Sequence, residues 1–271
     1  MNIGLFKNNN QIYTDLDLVN CLKHLDIQNG DILYMHSEIY NFGIPLITPK
    51  KILQIFIDCF FQAIGKEGTL IMPTFTYSFC NNKDYDKLRS KTKVGILNEF
   101  FRQQIGVKRT NDPIFSFAVK GAKEDLFLQD YDSCFGENSV FDILTKNNGK
   151  IILFGNKNLG ITYVHYIEEK AKIRHRYFKE FSGYIINEKG IKTKKSIKYF
   201  VRDLKQNLLN DRDYTLSFIK NTPYYKEQKF GKGDIVSIEI QPFYDIIYNL
   251  LKTDDKILLQ KDTQFKRNLI M

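Results

Sequence analysis

The 271-residue sequence contains no run of about 18 apolar residues, which excludes a membrane-spanning helix. Its opening, MNIGLFKNNNQIYTD, has no apolar stretch of signal-peptide length and no cleavage-like end, so a cytoplasmic protein is expected. Cysteine is scarce. Cys21, Cys59, Cys80 and Cys134 show neither CxxC spacing nor clustering, which argues against a disulfide framework or a thiolate metal centre. They read as reduced thiols, three of them in apolar surroundings. No G-x-S-x-G elbow occurs, so the usual serine-hydrolase signature is missing. Internal repeats, low-complexity tracts and Pro/Gly/Ser-rich linkers are absent as well.

What remains is ordinary globular composition, 43% hydrophobic and 26% charged. The length suffices for one large α/β core or two small ones. Net charge is +9, and it is unevenly spread. Between Lys170 and Lys232 there are 17 Lys/Arg against 6 Asp/Glu, a local +11, so the rest nets −2. Such a segment is either a solvated basic surface or a lobe that attracts a phosphorylated ligand such as CoA or a sugar nucleotide. Its aromatic richness also fits a nucleic-acid binder, but most Phe residues fall in apolar stripes and no recognition motif is visible.

Helix and strand signals alternate from the start, which argues α/β. Thr14 opens a helix with an acidic residue at N3, and Thr48-Pro49 opens another whose stripe is Ile52, Leu53, Phe56, Phe60 and Phe61, with Gly65 past its end. GDILYMHS (30–37), GTLIMPTFTYSF (68–79), FSFAVKG (115–121), KIILFG (150–155) and GDIVSIEI (233–240) read as strands. Helices are expected at 94–105, from Ser139 to about Asn147, near Thr162, and over Pro242–Leu251. FSGYIINEKGIKTKKSIKYFVR predicts a β-hairpin turning at Glu188–Gly190. The expected architecture is a central mixed sheet flanked by helices on both faces. A smaller basic α+β C-terminal lobe (181–271) completes the same compact unit as the core (1–180).

Three segments carry candidate chemistry. The strongest runs from Gly155 through NKNLGI to Thr162, His165 and Glu168. Ligands gather beyond the carboxyl ends of strands in α/β sheets, and His165 sits there in a first helical turn. With Thr162 as N-cap, the helix-terminal field favours neutral imidazole, the form a general base needs. Glu168 lies at i+3 and can orient the ring. A purely structural histidine, or a two-ligand fragment of a metal site, competes with this reading. Second, Thr74, Thr76, Tyr77 and Ser78 put hydroxyls on an irregular strand end, suited to the amides of a pantetheine arm or simply to a turn. Third, Arg109 and Thr110, with Ser116 on the next strand, offer a phosphate site or a solvated turn.

In order along the chain, these segments resemble the aminoglycoside 3-N-acetyltransferase family. DILYMHS (31–37) resembles its strand ending in His-Ser, and GTLIMPTFT (68–76) its most recognisable motif. VGILNEFFR (94–102), RTNDPIFSFAVKG (109–121) and SCFGENSVFDIL (133–144) resemble three further stretches. T162-Y-V-H-Y-I-E168 follows its Thr-x-x-His-x-x-Glu. Departures are Asp112 in place of His, Thr110 in place of Ser, and Glu38 in place of the second Ser of His-Ser-Ser.

The resemblance implies acetyl-CoA or another acyl-CoA as co-substrate, no metal, and transfer to an amine with His165 and Glu168 as catalytic residues. It implies that His36, Ser37, Thr74, Phe75, Thr76, Arg109 and Thr110, with Ser116 and Phe117 beside them, line the CoA channel. Tyr77, Glu99 and Thr162 would face the acceptor. The basic charge points to a nucleotide-linked amino sugar, as in making modified sugars for surface polysaccharide; an aminoglycoside is the alternative. Neither nucleic acid nor membrane is expected as a partner, and the aromatic residues leave room for a homodimer face.

Overall fold

Helix starts are set by local chemistry in this computed structural model, which describes residues 2–206 and 208–260. After a hairpin of β1 (Gly4–Asn8) and β2 (Gln11–Thr14), Thr14 caps α1 (Asp15–His24) in a reciprocal capping box with Asp17. Next come β3 (Ile32–Ser37) and the short β4 (Ile44–Pro45). Helix α2 (Pro49–Ile64) begins with Pro49 as expected, although Thr48 at the N-cap position makes no side-chain capping bond, and ends at Gly65, whose φ of 64° suits glycine. Strand β5 (Thr69–Pro73), the two-residue β6 (Tyr85–Asp86) and α3 (Ile96–Arg102) follow. The middle of the chain supplies β7 (Lys108–Arg109), β8 (Phe117–Gly121), α4 (Val140–Lys146), β9 (Lys150–Phe154) and α5 (Tyr163–Ala171). Ser139 caps α4 through the Asp142 N–H, as expected. A long hairpin, β10 (Arg176–Ile186) and β11 (Lys192–Arg202), precedes α6 (Arg212–Lys220). The chain returns through β12 (Tyr225–Phe230), β13 (Gly233–Glu239) and α7 (Ile240–Thr253).

The main sheet has seven strands in the order β12-β13-β9-β3-β5-β8-β7. Its centre is parallel: β3 pairs with β5 and with β9 in the same direction, Tyr34 facing Ile71 on one side and Ile151 on the other. Antiparallel β8 and β13 flank this centre, so the sheet is mixed, as anticipated. Side chains alternate between two cores. Tyr34, Ile71, Ile151 and Val236 enter the core under α4, α5 and α7, while Leu33, Leu70, Ile152 and Ile235 enter the one under α1 and α2. The residues beyond 180 divide in space. The β10–β11 hairpin stands apart from the main sheet and pairs with β6, whereas β12 and β13 extend the sheet and α7 covers it. Strand β10 starts at Arg176, ahead of the position read from the sequence, and its turn spans 187–191. No helix among the described residues is long and apolar enough to cross a membrane.

Where β9 ends, the backbone passes very close to the end of β3. Gly155 has φ 98°, and a Cβ there would lie 2.0 Å from the Glu38 carbonyl oxygen. Alanine is sterically impossible without moving one strand end. Gly155→Ala is therefore expected to lower unfolding stability by roughly 2 kcal/mol or more, measured by urea denaturation. A change under about 0.5 kcal/mol would show that the strand ends yield freely.

Candidate active site

Because β3, β5 and β9 are parallel, their carboxyl ends open on one side, and a cavity of about 610 Å³ lies there. His36 and Ser37 end β3, Phe75 and Tyr77 follow β5, and Thr162 and His165 follow β9; all six line the cavity. Asn210 and Arg212, from the start of α6 and the residues before it, close another wall. The strand ends are tied together. Ser37 Oγ donates to Asn98 Oδ1 (2.6 Å), and Asn98 Nδ2 donates to the Pro73 carbonyl (2.7 Å).

His165 lies in the first turn of α5, its N–H donating to the Thr162 carbonyl at 3.0 Å. Thr162 itself has helical dihedrals (φ −61°, ψ −24°) and makes no side-chain cap, so the expected capping hydrogen bond does not form. The imidazole Nδ1 is 2.7 Å from Glu168 Oε2. Its side chain is 29% exposed against 1% for Glu168, so the pair runs from the cavity wall into the interior. Glu168 has two further partners: Asn210 Nδ2 donates to Oε1 at 2.7 Å, and Arg176 Nε lies 2.9 Å from Oε2. Burial alone would raise the Glu168 carboxyl, but its contact with His165, the Arg176 charge and the Asn210 hydrogen bond outweigh it and hold it below the usual range.

Arg176 Nη2 also lies 3.1 Å from His165 Nδ1. A single ring nitrogen cannot donate to the carboxylate and accept from the guanidinium at once. Two acceptors 2.7 Å apart would repel, so the proton belongs on Nδ1, donated to Glu168. The lone pair then sits on Nε2, the ring nitrogen remote from Glu168.

Other cavity groups are less paired. His36 Nε2 is buried without a hydrogen-bond partner, and burial pulls the ring down to about 4, leaving it neutral. In the turn after β5, Thr74 N–H donates to the Ser116 carbonyl, and the N–H groups of Thr76 and Tyr77 both donate to Ile114. The Phe75 N–H between them has no such bond among the described residues. Tyr77 holds a left-handed φ of 53°, a strained value for an aromatic residue, fixed by Asn81 Nδ2 donating to its carbonyl at 2.7 Å.

The remaining expected ligand contacts are turned inward. Arg109 donates to the Thr74 hydroxyl (3.1 Å) and carbonyl (2.7 Å), and Ser116 Oγ donates to the same carbonyl at 2.6 Å. Thr76 Oγ1 donates to the Pro113 carbonyl, Thr110 Oγ1 accepts from Phe117 N–H, and the Phe117 ring is in the core. Glu99 is held by Arg102 and Gln103. None of these seven lines the cavity. The polar atoms of Arg109, Ser116 and Thr76 complete the irregular backbone after β5 and beside it, which a strand-end hydroxyl does as readily as it binds a ligand. Reasoning from sequence missed Arg176 and Asn210, which reach Glu168 only through the tertiary fold. Among the described residues no group of three or more His, Cys, Asp or Glu could hold a metal ion.

The profile of the aminoglycoside 3-N-acetyltransferase family matches residues 35–252. The chain belongs to this family. Aminoglycoside N(3)-acetyltransferase III of Pseudomonas aeruginosa is 26% identical over 184 residues, 60% of this chain and 66% of the relative, so the match spans just under two thirds of that protein. Two solved structures of the family share the fold. AAC-IIIb in binary complex with CoASH superposes with a TM-score of 0.74 at 20% identity, over 88% of this chain and 96% of that one. AAC-VIa bound to sisomicin gives 0.75 at 17% identity, over 88% and 97%.

With a depressed carboxyl, Glu168 contributes stability that is present above its unfolded value of about 4.3 and is lost as pH falls through its lower folded value. Glu168→Gln is expected to destabilise the protein at pH 7 by about 3 kcal/mol, because Arg176 loses its counterion. Urea unfolding at pH 7 and at about pH 3 should show that deficit shrinking in acid. A deficit of the same size at both pH values would contradict an ionised Glu168.

Proposed function

We propose that the chain is an acyl-CoA-dependent N-acyltransferase that acylates an amine of an amino sugar, with His165 as general base. One observation carries the reading. Glu168 holds Nδ1 of a cavity-lining histidine at 2.7 Å, leaving Nε2 as the proton acceptor. Fixed tautomer and orientation are what a base needs to meet a substrate proton.

An amine protonated in water must lose a proton before its lone pair can bond to the acyl carbon. That first proton goes to water. As the nitrogen–carbon bond forms, His165 Nε2 takes a second proton from the same nitrogen; the carbon–sulfur bond breaks, and this proton passes to the sulfur so that CoA leaves as the thiol. The Phe75 N–H, which makes no backbone bond among the described residues while its neighbours do, is the candidate donor to the acyl oxygen as it gains charge. The residues fit a pantetheine arm. Ser37 Oγ and the orphaned His36 Nε2 offer polar contacts for its amides along the β3 side of the cavity.

Named relatives favour an aminoglycoside-type acceptor, sisomicin being bound in one of them. Charge favours a second reading, a nucleotide-linked amino sugar. Net charge is +9, and the cavity's one carboxylate among the described residues, Glu38, is engaged by Asn41 (2.9 Å) and Asn156 (3.2 Å). A polycation would find little to pair with there.

His165→Ala is expected to lower kcat by roughly 10²–10⁴-fold while acetyl-CoA binding, followed by calorimetry, is preserved. Full kcat in that variant would remove the general-base role. Comparing kcat/KM for sisomicin with that for nucleotide-linked amino sugars decides the acceptor: whichever is larger identifies the class.

A further inference from the structure

A histidine bound only to a buried carboxylate is a poor base at neutral pH, because the pair gains most when the ring is protonated. The surroundings of His165 hold a second charge that works against this. Arg176 begins β10, 11 residues on from His165, with its side chain 6% exposed. Its guanidinium touches both members of the pair, 2.9 Å from Glu168 Oε2 and 3.1 Å from His165 Nδ1. Directional bonding does not explain its burial. Nε has no hydrogen bond of good geometry, and Nη1 reaches the Phe200 carbonyl only at 3.4 Å.

We infer that Arg176 is a positioning residue that keeps His165 unprotonated and ready to accept a proton at neutral pH, by neutralising Glu168 from within the protein interior. This rests on the general-base reading above. The charge count decides it. With Arg176 present, the buried cluster is neutral while the ring is neutral and carries +1 when the ring is protonated. Remove Arg176, and the cluster carries −1 with a neutral ring and becomes neutral only when the ring is protonated. A buried site favours its neutral state, so the guanidinium reverses which form of the ring is preferred.

Other charged or titratable groups near the ring do not supply this effect. Glu169, on the next position of α5, turns away to Ser133 Oγ at 3.0 Å. His175 is buried with both ring nitrogens unpaired and held neutral by burial. His36 across the cavity is neutral as described, and Arg212 is occupied by Asp213 and the Asn158 carbonyl. Phe135 packs edge-on to the ring at 5.7 Å and carries no charge. Arg176 stands alone as the buried cation in contact with the pair among the described residues.

The test uses the intact protein and needs no knowledge of the acceptor. NMR of histidine-labelled protein reads the protonated fraction of the His165 ring directly, assigned by its loss in His165→Ala. Arg176→Met is expected to raise that fraction at pH 7 by about tenfold in the protonated-to-neutral ratio, whereas Arg176→Lys keeps it within about twofold. The double variant Glu168→Gln/Arg176→Met removes both charges and should return the ratio toward the native value. It also serves where Arg176→Met alone does not fold, a thermal melt reporting which variants do. In turnover with acetyl-CoA and sisomicin, the acid limb of kcat/KM for Arg176→Met should move to higher pH, with activity recovered near pH 9. An unchanged protonated fraction in Arg176→Met, or a turnover loss equal at every pH, would overturn the inference. Absence of turnover with every amine in all variants would count against the acyltransferase reading alone, since the NMR result stands without it.

Discussion

Three adjacent parallel strands buried on both faces are the constraint on which the rest of this structure depends. Every side chain of the central β3, β5 and β9 between residues 32–35, 70–72 and 151–154 enters one of two cores. Parallel strands of this kind need cover on both sides, and α1 and α2 provide one layer while α4, α5 and α7 provide the other. Polar chemistry is thereby pushed to the strand ends. At the carboxyl ends the backbone becomes irregular, and the hydroxyls, amides and imidazoles gather.

That arrangement also explains why the cavity wall is held so firmly. Asn98 stitches the end of β3 to the end of β5, Gly155 lets the end of β9 approach β3 within contact distance, and Tyr77 is locked in a strained turn. Side chains such as Arg109 and Thr74 spend their hydrogen bonds on the same purpose. The site's precision comes from this supporting layer more than from the groups that face the cavity.

Much of this was legible in the sequence, for physical reasons that differ by residue. Capping by Thr14 and Ser139 and the start of α2 at Pro49 depend on neighbours a few positions away, and all three stand as read. The i+3 spacing of His165 and Glu168 likewise fixed their contact. Thr162 shows the limit: its type suits a cap, yet the loop before it delivers the backbone already in helical conformation. Thr74, Thr76, Arg109, Thr110 and Ser116 are polar where a ligand was expected, but polarity at a strand end does not say whether the backbone or a ligand uses it. Arg176 and Asn210 left no local signal. One sits in a run of basic residues, and the other lies 42 positions from the carboxylate it touches.

That separation has a consequence for how the molecule comes into being. A nascent chain that has emerged only as far as α5 already contains the histidine and its glutamate, but neither Arg176 nor Asn210. The carboxylate then has no reason to leave water, and the helix that carries it lacks the cover later supplied by α7. Strand β13 must also find β9 across the whole intervening hairpin and α6, a pairing between distant segments that slows closure. The His165–Glu168 pair therefore has its complete surroundings only once β10 and the residues before α6 are in place.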